Sequence, residues 1–180
     1  KNIKNIRKKK ITASKFSYIT GDNPFKTTDE YFKNFAFKKK TFNKNNPIKY
    51  GITNEPLARK RYIKKTRNKV KKDNNIWIHK DFEWIGCKTD GIIIDSKMNG
   101  IIEIKCPYTR IMHEKVPYYY IPQIQGMLEI CEKDYCDYIC YVPEEYPKDI
   151  NIIRVERDKD YWDNYLFPKL NDFWNKSNNI

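Results

Sequence analysis

Asp90 lies at the centre of the segment Thr89-Asp90-Gly91, and Glu103 and Lys105 stand a little further on in Ile102-Glu103-Ile104-Lys105-Cys106-Pro107. Residues two apart in a strand share a face, so Glu103 and Lys105 project together while apolar Ile104 turns away. A hairpin turn near Ser96 to Asn99 lays the strand after Asp90 beside the one carrying Glu103, and two carboxylates then converge. Hard divalent ions such as Mg²⁺ take oxygen ligands, and two carboxylates, a backbone carbonyl and water satisfy one without Cys or His. Such an ion polarises a phosphate oxygen and lowers the pKa of water. Lys105 beside it could orient that water or stabilise charge on an attacked phosphoryl group. The spacing by itself also fits a plainer arrangement, in which Glu103 and Lys105 are an ion pair on an edge strand and Asp90-Gly91 is only a turn.

A third carboxylate is carried by a predicted helix running from Pro47 through Arg67. There Ile48, Ile52, Glu55, Arg59 and Tyr62 recur every three or four residues and share one face. A carboxylate in an apolar stripe is costly unless it is paired or bound to a metal, so Glu55 is a functional candidate. An i,i+4 pair with Arg59 accounts for it equally well.

The elements that must position these groups are readable in outline. Ser14 is a candidate N-cap for a short helix with Phe16 and Ile19, which Gly21 stops. Thr27 and Glu30 read as a capping box ahead of a helix carrying Tyr31, Phe32, Phe35 and Phe37. Strands are predicted at Ile76–Ile78, Phe82–Cys87, Gly91–Ile94 and Gly100–Ile104, as neighbours in one antiparallel section. A helix over Tyr118–Cys131 follows, then strands at Tyr138–Val142 and Ile152–Val155, then an aromatic-faced helix over Tyr161–Asn175. This pattern is a mixed α/β domain, and 180 residues make a single domain over 1–180.

Composition narrows the partners. Lys+Arg 36 against Asp+Glu 23 leaves +13, a field that attracts polyanions, with nucleic acid first among them. No run of some eighteen apolar residues and no signal-like segment is present, so a soluble intracellular protein with no membrane partner is expected. Two histidines, His79 and His113, make His-based chemistry unattractive, and either could lie at the surface. Of the cysteines, Cys131, Cys136 and Cys140 form an irregular cluster that could ligate an iron–sulfur centre, while reduced buried thiols are the simpler expectation.

Five ordered blocks together resemble the phage lambda exonuclease and YqaJ-like viral recombinase nucleases, within the PD-(D/E)xK group. They are Ile11-Thr12-Ala13-Ser14, Gly51 to Pro56, Thr89-Asp90-Gly91, Glu103 to Tyr108, and Pro122-Gln123-Ile124-Gln125. The resemblance implies a restriction-endonuclease-like core of the α+β type, with a central mixed sheet flanked by helices. It also implies 5′-to-3′ digestion of one strand of linear duplex DNA with free ends, dependent on Mg²⁺, with Mn²⁺ able to substitute. By the same resemblance Asp90 and Glu103 hold the metal with the Ile104 carbonyl, and Lys105 assists the water. Glu55 lies near the metals through water, and Gln123 sits on the helix beside the site. Arg7 and Ser14 match the family's ligands for a terminal 5′ phosphate. A guanidinium grips phosphate bidentately, and a Ser at a helix N-terminus adds a hydroxyl and a favourable dipole. The family pattern has Ser-Pro before Asp-Gly where this chain has Lys88-Thr89, which offers Lys88 as the replacement contact. A homotrimer and a single-strand annealing partner are further implications. The alternatives are a catalytically silent DNA-binding recombination partner and a related iron–sulfur nuclease.

Overall fold

The computed structural model describes residues 10–36, 46–94 and 99–178. Arg7 and most of the first basic run, Phe37, and the greater part of the expected Ser96–Asn99 turn lie outside the described residues.

Five strands form the central sheet in the order β2 (Val70–Lys71), β5 (Gly91–Ile93), β6 (Gly100–Lys105), β7 (Tyr135–Tyr141), β8 (Ile150–Glu156). Only β6 and β7 run parallel, so the sheet is mixed. A parallel neighbour needs a crossover, and α4 (Ile121–Ile130) supplies it. A second sheet of three strands holds β1 (Ile11–Thr12), β4 (Ile85–Cys87) and β3 (Trp77–Ile78), with β1 and β4 parallel. The strands around Ile76–Cys87 and those around Gly91–Ile104 therefore do not form one antiparallel section, as the sequence suggests, but belong to two sheets. Strand β6 lies third of five, which removes the edge-strand reading of its Glu-x-Lys.

Alternation along β6 sorts its side chains between two cores. Ile102 and Ile104 pack with Ala58 and Tyr62 of α3 (Asn46–Thr66), whereas Ile101 packs with Ile124 and Leu128 of α4. All seven residues of β7 are buried, so this strand has helices over both faces and reads as a continuous run. Its Asp137 is neutralised by Arg154 (2.9 Å) and accepts from the Tyr62 hydroxyl (2.6 Å), tying α3 to the sheet. The second core also takes in α1 (Phe16–Thr20) and the closing helical segment. That segment is α5 (Lys159–Tyr161), a π-helical stretch Trp162–Leu166, and α6 (Phe167–Asn178), where one helix is expected.

Other local expectations divide. Helix α2 (Thr28–Ala36) starts at the capping box, with the Thr27 amide donating to Glu30 (3.0 Å) and the Glu30 amide to Thr27 Oγ1 (3.3 Å). Gly21 ends α1 in the left-handed region at φ 83°, where a side chain is disfavoured. Ser14 does not cap α1; it lies in a 3₁₀ turn, Ala13–Lys15, and Lys15 holds the cap position. Helix α3 forms, but its stripe is not buried throughout: Ile48 and Ile52 are 45% and 55% exposed, and burial of the stripe begins only toward Arg59 and Tyr62. Helix α4 is buried on every side from Pro122 to Ile130, so its three polar residues need internal partners.

Candidate active site

Strand pairing places Asp90. Gly91 pairs with Ile102, and the Asp90 amide donates to the Ile102 carbonyl (3.2 Å), which carries the ladder one residue beyond β5 and sets Asp90 opposite Glu103. The Asp90 carboxylate then accepts from the Ile104 amide (2.7 Å), while Arg59 Nε donates to the Asp90 carbonyl (3.0 Å). Burial, followed by the charge of Glu103, pushes the Asp90 carboxyl well above the usual carboxylate range, despite the Ile104 amide and the Lys105 charge acting the other way.

Glu103, 4% exposed, projects from β6 toward α4. Its Oε1 accepts from Lys105 Nζ (2.6 Å) and from Gln123 Nε2 (2.6 Å), and Lys105 also donates to Gln123 Oε1 (3.2 Å). The side chains expected to share a face therefore do so, and Gln123 closes a three-membered network with them. Burial works against the Lys105 ammonium, yet the Glu103 charge and hydrogen bond outweigh it and leave the pKa above its ordinary value. Lys105 also stands over the Tyr120 ring, 4.7 Å from its centre.

Glu55 reaches the site's edge, close enough for its charge to act on Asp90, but its carboxylate pairs with Arg59. The i,i+4 pair and the functional candidate are the same residue seen twice, since Arg59 bonds Glu55 and the Asp90 backbone together. On the other side, Ser14 and Lys88 line a cleft of about 200 Å³ with Cys87 and Gln123. Ser14 also faces a second cleft of about 180 Å³ that reaches Lys105 and Tyr120. The five residues of α1 supply little helix dipole, so what Ser14 offers an anion is its hydroxyl.

Sequence reading overlooked Arg59 and Tyr120 as parts of this site. Arg59 was signalled by its four-residue spacing from Glu55; Tyr120, within Tyr118-Tyr119-Tyr120, carried no periodic signal. The late cysteines are not gathered: Cys131 Sγ lies 3.4 Å from Cys87 Sγ, and Cys136 and Cys140 are buried in β7. Among the described residues, no three His, Cys, Asp or Glu side chains are grouped to hold a metal, which leaves no iron–sulfur ligand set. His79 is buried, at 5% exposure, rather than at the surface.

A hard divalent cation nonetheless fits. Asp90 and Glu103 are two carboxylates close enough for the charge of one to act on the other, the Lys105 ammonium is bonded to Glu103, and the Ile104 carbonyl belongs to the peptide segment whose amide Asp90 already holds. Two carboxylates, one carbonyl and water make a Mg²⁺-type oxygen donor set.

Residues 3–134 match the family described as the YqaJ-like viral recombinase domain. No curated protein matches the chain. Among solved structures, an alkaline exonuclease (LHK-Exo) from Laribacter hongkongensis is 26% identical, with a TM-score of 0.79 over 94% of this chain and 88% of that one. LHK-Exo in complex with dAMP aligns with a TM-score of 0.80 at 25% identity and the same coverage of 94% and 88%. A phage related exonuclease from Haemophilus somnus 129PT, 19% identical with a TM-score of 0.66 over 93% and 91%, supports the fold alone.

Proposed function

Since the chain belongs to the YqaJ-like viral recombinase domain family, we propose that it is a divalent-metal-dependent exonuclease that hydrolyses linear duplex DNA from its 5′ ends. The observation that carries this reading is the convergence of Asp90, Glu103, Lys105 and Gln123 at the start of β5 and the end of β6, beside a cleft bordered by Ser14 and Lys88. The similarity to an alkaline exonuclease over most of both chains supports it.

In the proposed reaction a water oxygen attacks the phosphorus and the P–O3′ bond breaks. The 3′ oxygen leaves with a proton on the released nucleotide, and the shortened strand keeps a new 5′ phosphate. Asp90, Glu103 and the Ile104 carbonyl would hold Mg²⁺, with Mn²⁺ able to replace it. When bound, the ion supplies Lewis acidity and lowers the pKa of water. Lys105 brings a fixed positive charge to the phosphoryl oxygens, and its protonated state suits it to charge stabilisation. Gln123 orients Glu103 through its amide, and Glu55 is positioned by Arg59 at the site's outer edge. Ser14 and Lys88, with Arg7, are proposed to receive the terminal 5′ phosphate, so each turnover creates the end that the next one needs.

Digestion of duplex DNA labelled at either end, with and without a 5′ phosphate, beside a closed circle, tests this reading. Release of label from 5′ ends of linear DNA, faster with the phosphate and without attack on the circle, is expected. Cutting of the circle at a comparable rate would make the protein an endonuclease and overturn the proposal.

A further inference from the structure

Phe25 is 77% exposed, yet its position is fixed. After Gly21 ends α1, the Asn23 amide donates to the Ser17 carbonyl (3.0 Å) and its side-chain nitrogen to Ser17 Oγ (3.1 Å). The Asn23 side-chain oxygen accepts from the Phe25 amide (2.9 Å), and Pro24 between them stiffens the turn. A turn built this way holds an apolar ring largely in water, where it gains little from burial.

The ring meets the edge of Tyr119, with centroids 5.7 Å apart and planes at 78°. Tyr119 in turn touches Tyr120 (4.5 Å), whose face carries the Lys105 ammonium. An unbroken aromatic path thus runs from the exposed Phe25 to the reactive centre. The cleft of about 180 Å³ between them is bounded by Tyr18, Lys105 and Gln123. Lys15 lies over the Tyr18 ring (5.2 Å), and the Lys105 ammonium lines the cleft itself. Aromatic faces beside a lysine are what a nucleotide unit needs, with the base on the rings and the phosphate on the cation.

We propose that Phe25 and Tyr119 form a stacking step for one nucleobase of the DNA strand held in the active site. This inference rests on the exonuclease reading and names how that site grips its substrate. Stacking accepts every base, so the step fixes the strand's position without selecting sequence.

The test is equilibrium binding, with divalent metal chelated so that nothing is cut. The ligands are 5′-phosphorylated duplexes with a short single-stranded end in which successive nucleotides are made abasic. Wild type should lose affinity at one position by roughly five- to a hundredfold. Phe25→Ala, Phe25→Leu and Tyr119→Ala should lose affinity for intact DNA by a similar factor and show no further loss at that position, whereas Phe25→Tyr restores the wild-type pattern. Both positions are open to solvent or partly so, and unchanged melting temperatures check the fold of each variant. An abasic penalty that persists in these variants overturns the inference. Tight binding with no positional penalty in wild type overturns it while leaving the exonuclease reading intact, and absence of DNA binding removes both.

Discussion

Glu103 owes its orientation to a single oxygen that accepts from both Lys105 and Gln123. Gln123 is therefore a supporting partner for a proposed metal ligand, and groups of that kind typically matter by about 10- to 100-fold in metal affinity or rate. Gln123→Ala should lower the cleavage rate or Mg²⁺ affinity within that range while leaving DNA affinity in chelator unchanged; an unaltered rate at limiting metal would remove Gln123 from the site. A residue far from this chemistry sets an acid limit. Burial lowers the pKa of His79 against the opposing charges of Glu129 and Asp81, and its Nδ1 accepts from the Asp81 amide (3.1 Å). The folded state thus keeps His79 neutral at a pH where the unfolded chain already takes up the proton, near 6.5. Its contribution is complete above about pH 6.5 and falls as pH drops below it, by at most about 1.4 kcal/mol per pH unit. His79→Asn, which retains an acceptor, should flatten the stability profile between about pH 6.5 and 5. A variant profile parallel to wild type would contradict this.

At the level of elements, the site depends on α1 lying directly on α4. A methyl group added to Gly126 would fall on the Phe16 ring, so this glycine is what lets the Ser14 segment approach Gln123. Gly126→Ala should cost about 1–3 kcal/mol by overpacking and impair use of 5′-phosphorylated ends more than binding of DNA at large. Melting temperature and end preference would show both, and a variant as stable as wild type would mean that α1 shifts freely. The shared face of Glu103 and Lys105 was legible because side chains two apart in a strand point the same way, and the β5–β6 pairing was legible because only a short turn separates the two strands. The partition into two sheets was not, because short strands around Ile76 and Ile85 carry no signal for which partner they choose. The stripe on α3 misled for a related reason: spacing reveals a face but not how far that face is covered, and Ile48 and Ile52 lie beyond the sheet's cover. The buried Asp137, held by Arg154 and Tyr62, had no local mark either, since its partners are distant in sequence.

For the whole molecule, a net charge of +13 favours a polyanion, and exposed Lys64, Lys65, Arg67, Lys69, Lys71 and Lys72 spread one basic stretch over the end of α3 and β2. Binding to duplex DNA should weaken steeply with salt, each neutralised phosphate contributing about 0.9 to the slope of log K against log salt. An affinity independent of salt would show that this charge serves something other than the DNA backbone. No helix among the described residues is long and apolar enough to cross a membrane. The central claim is that the carboxylates at β5 and β6 act through a divalent cation on linear DNA, and removing one charge without changing shape tests it most directly. Wild type and Glu103→Gln are compared on 5′-phosphorylated linear duplex in Mg²⁺, with DNA affinity measured alongside in chelator. The account predicts equal folding, equal affinity and a loss of cleavage exceeding about a hundredfold, more than a supporting residue would cause. Wild-type turnover by Glu103→Gln would contradict it.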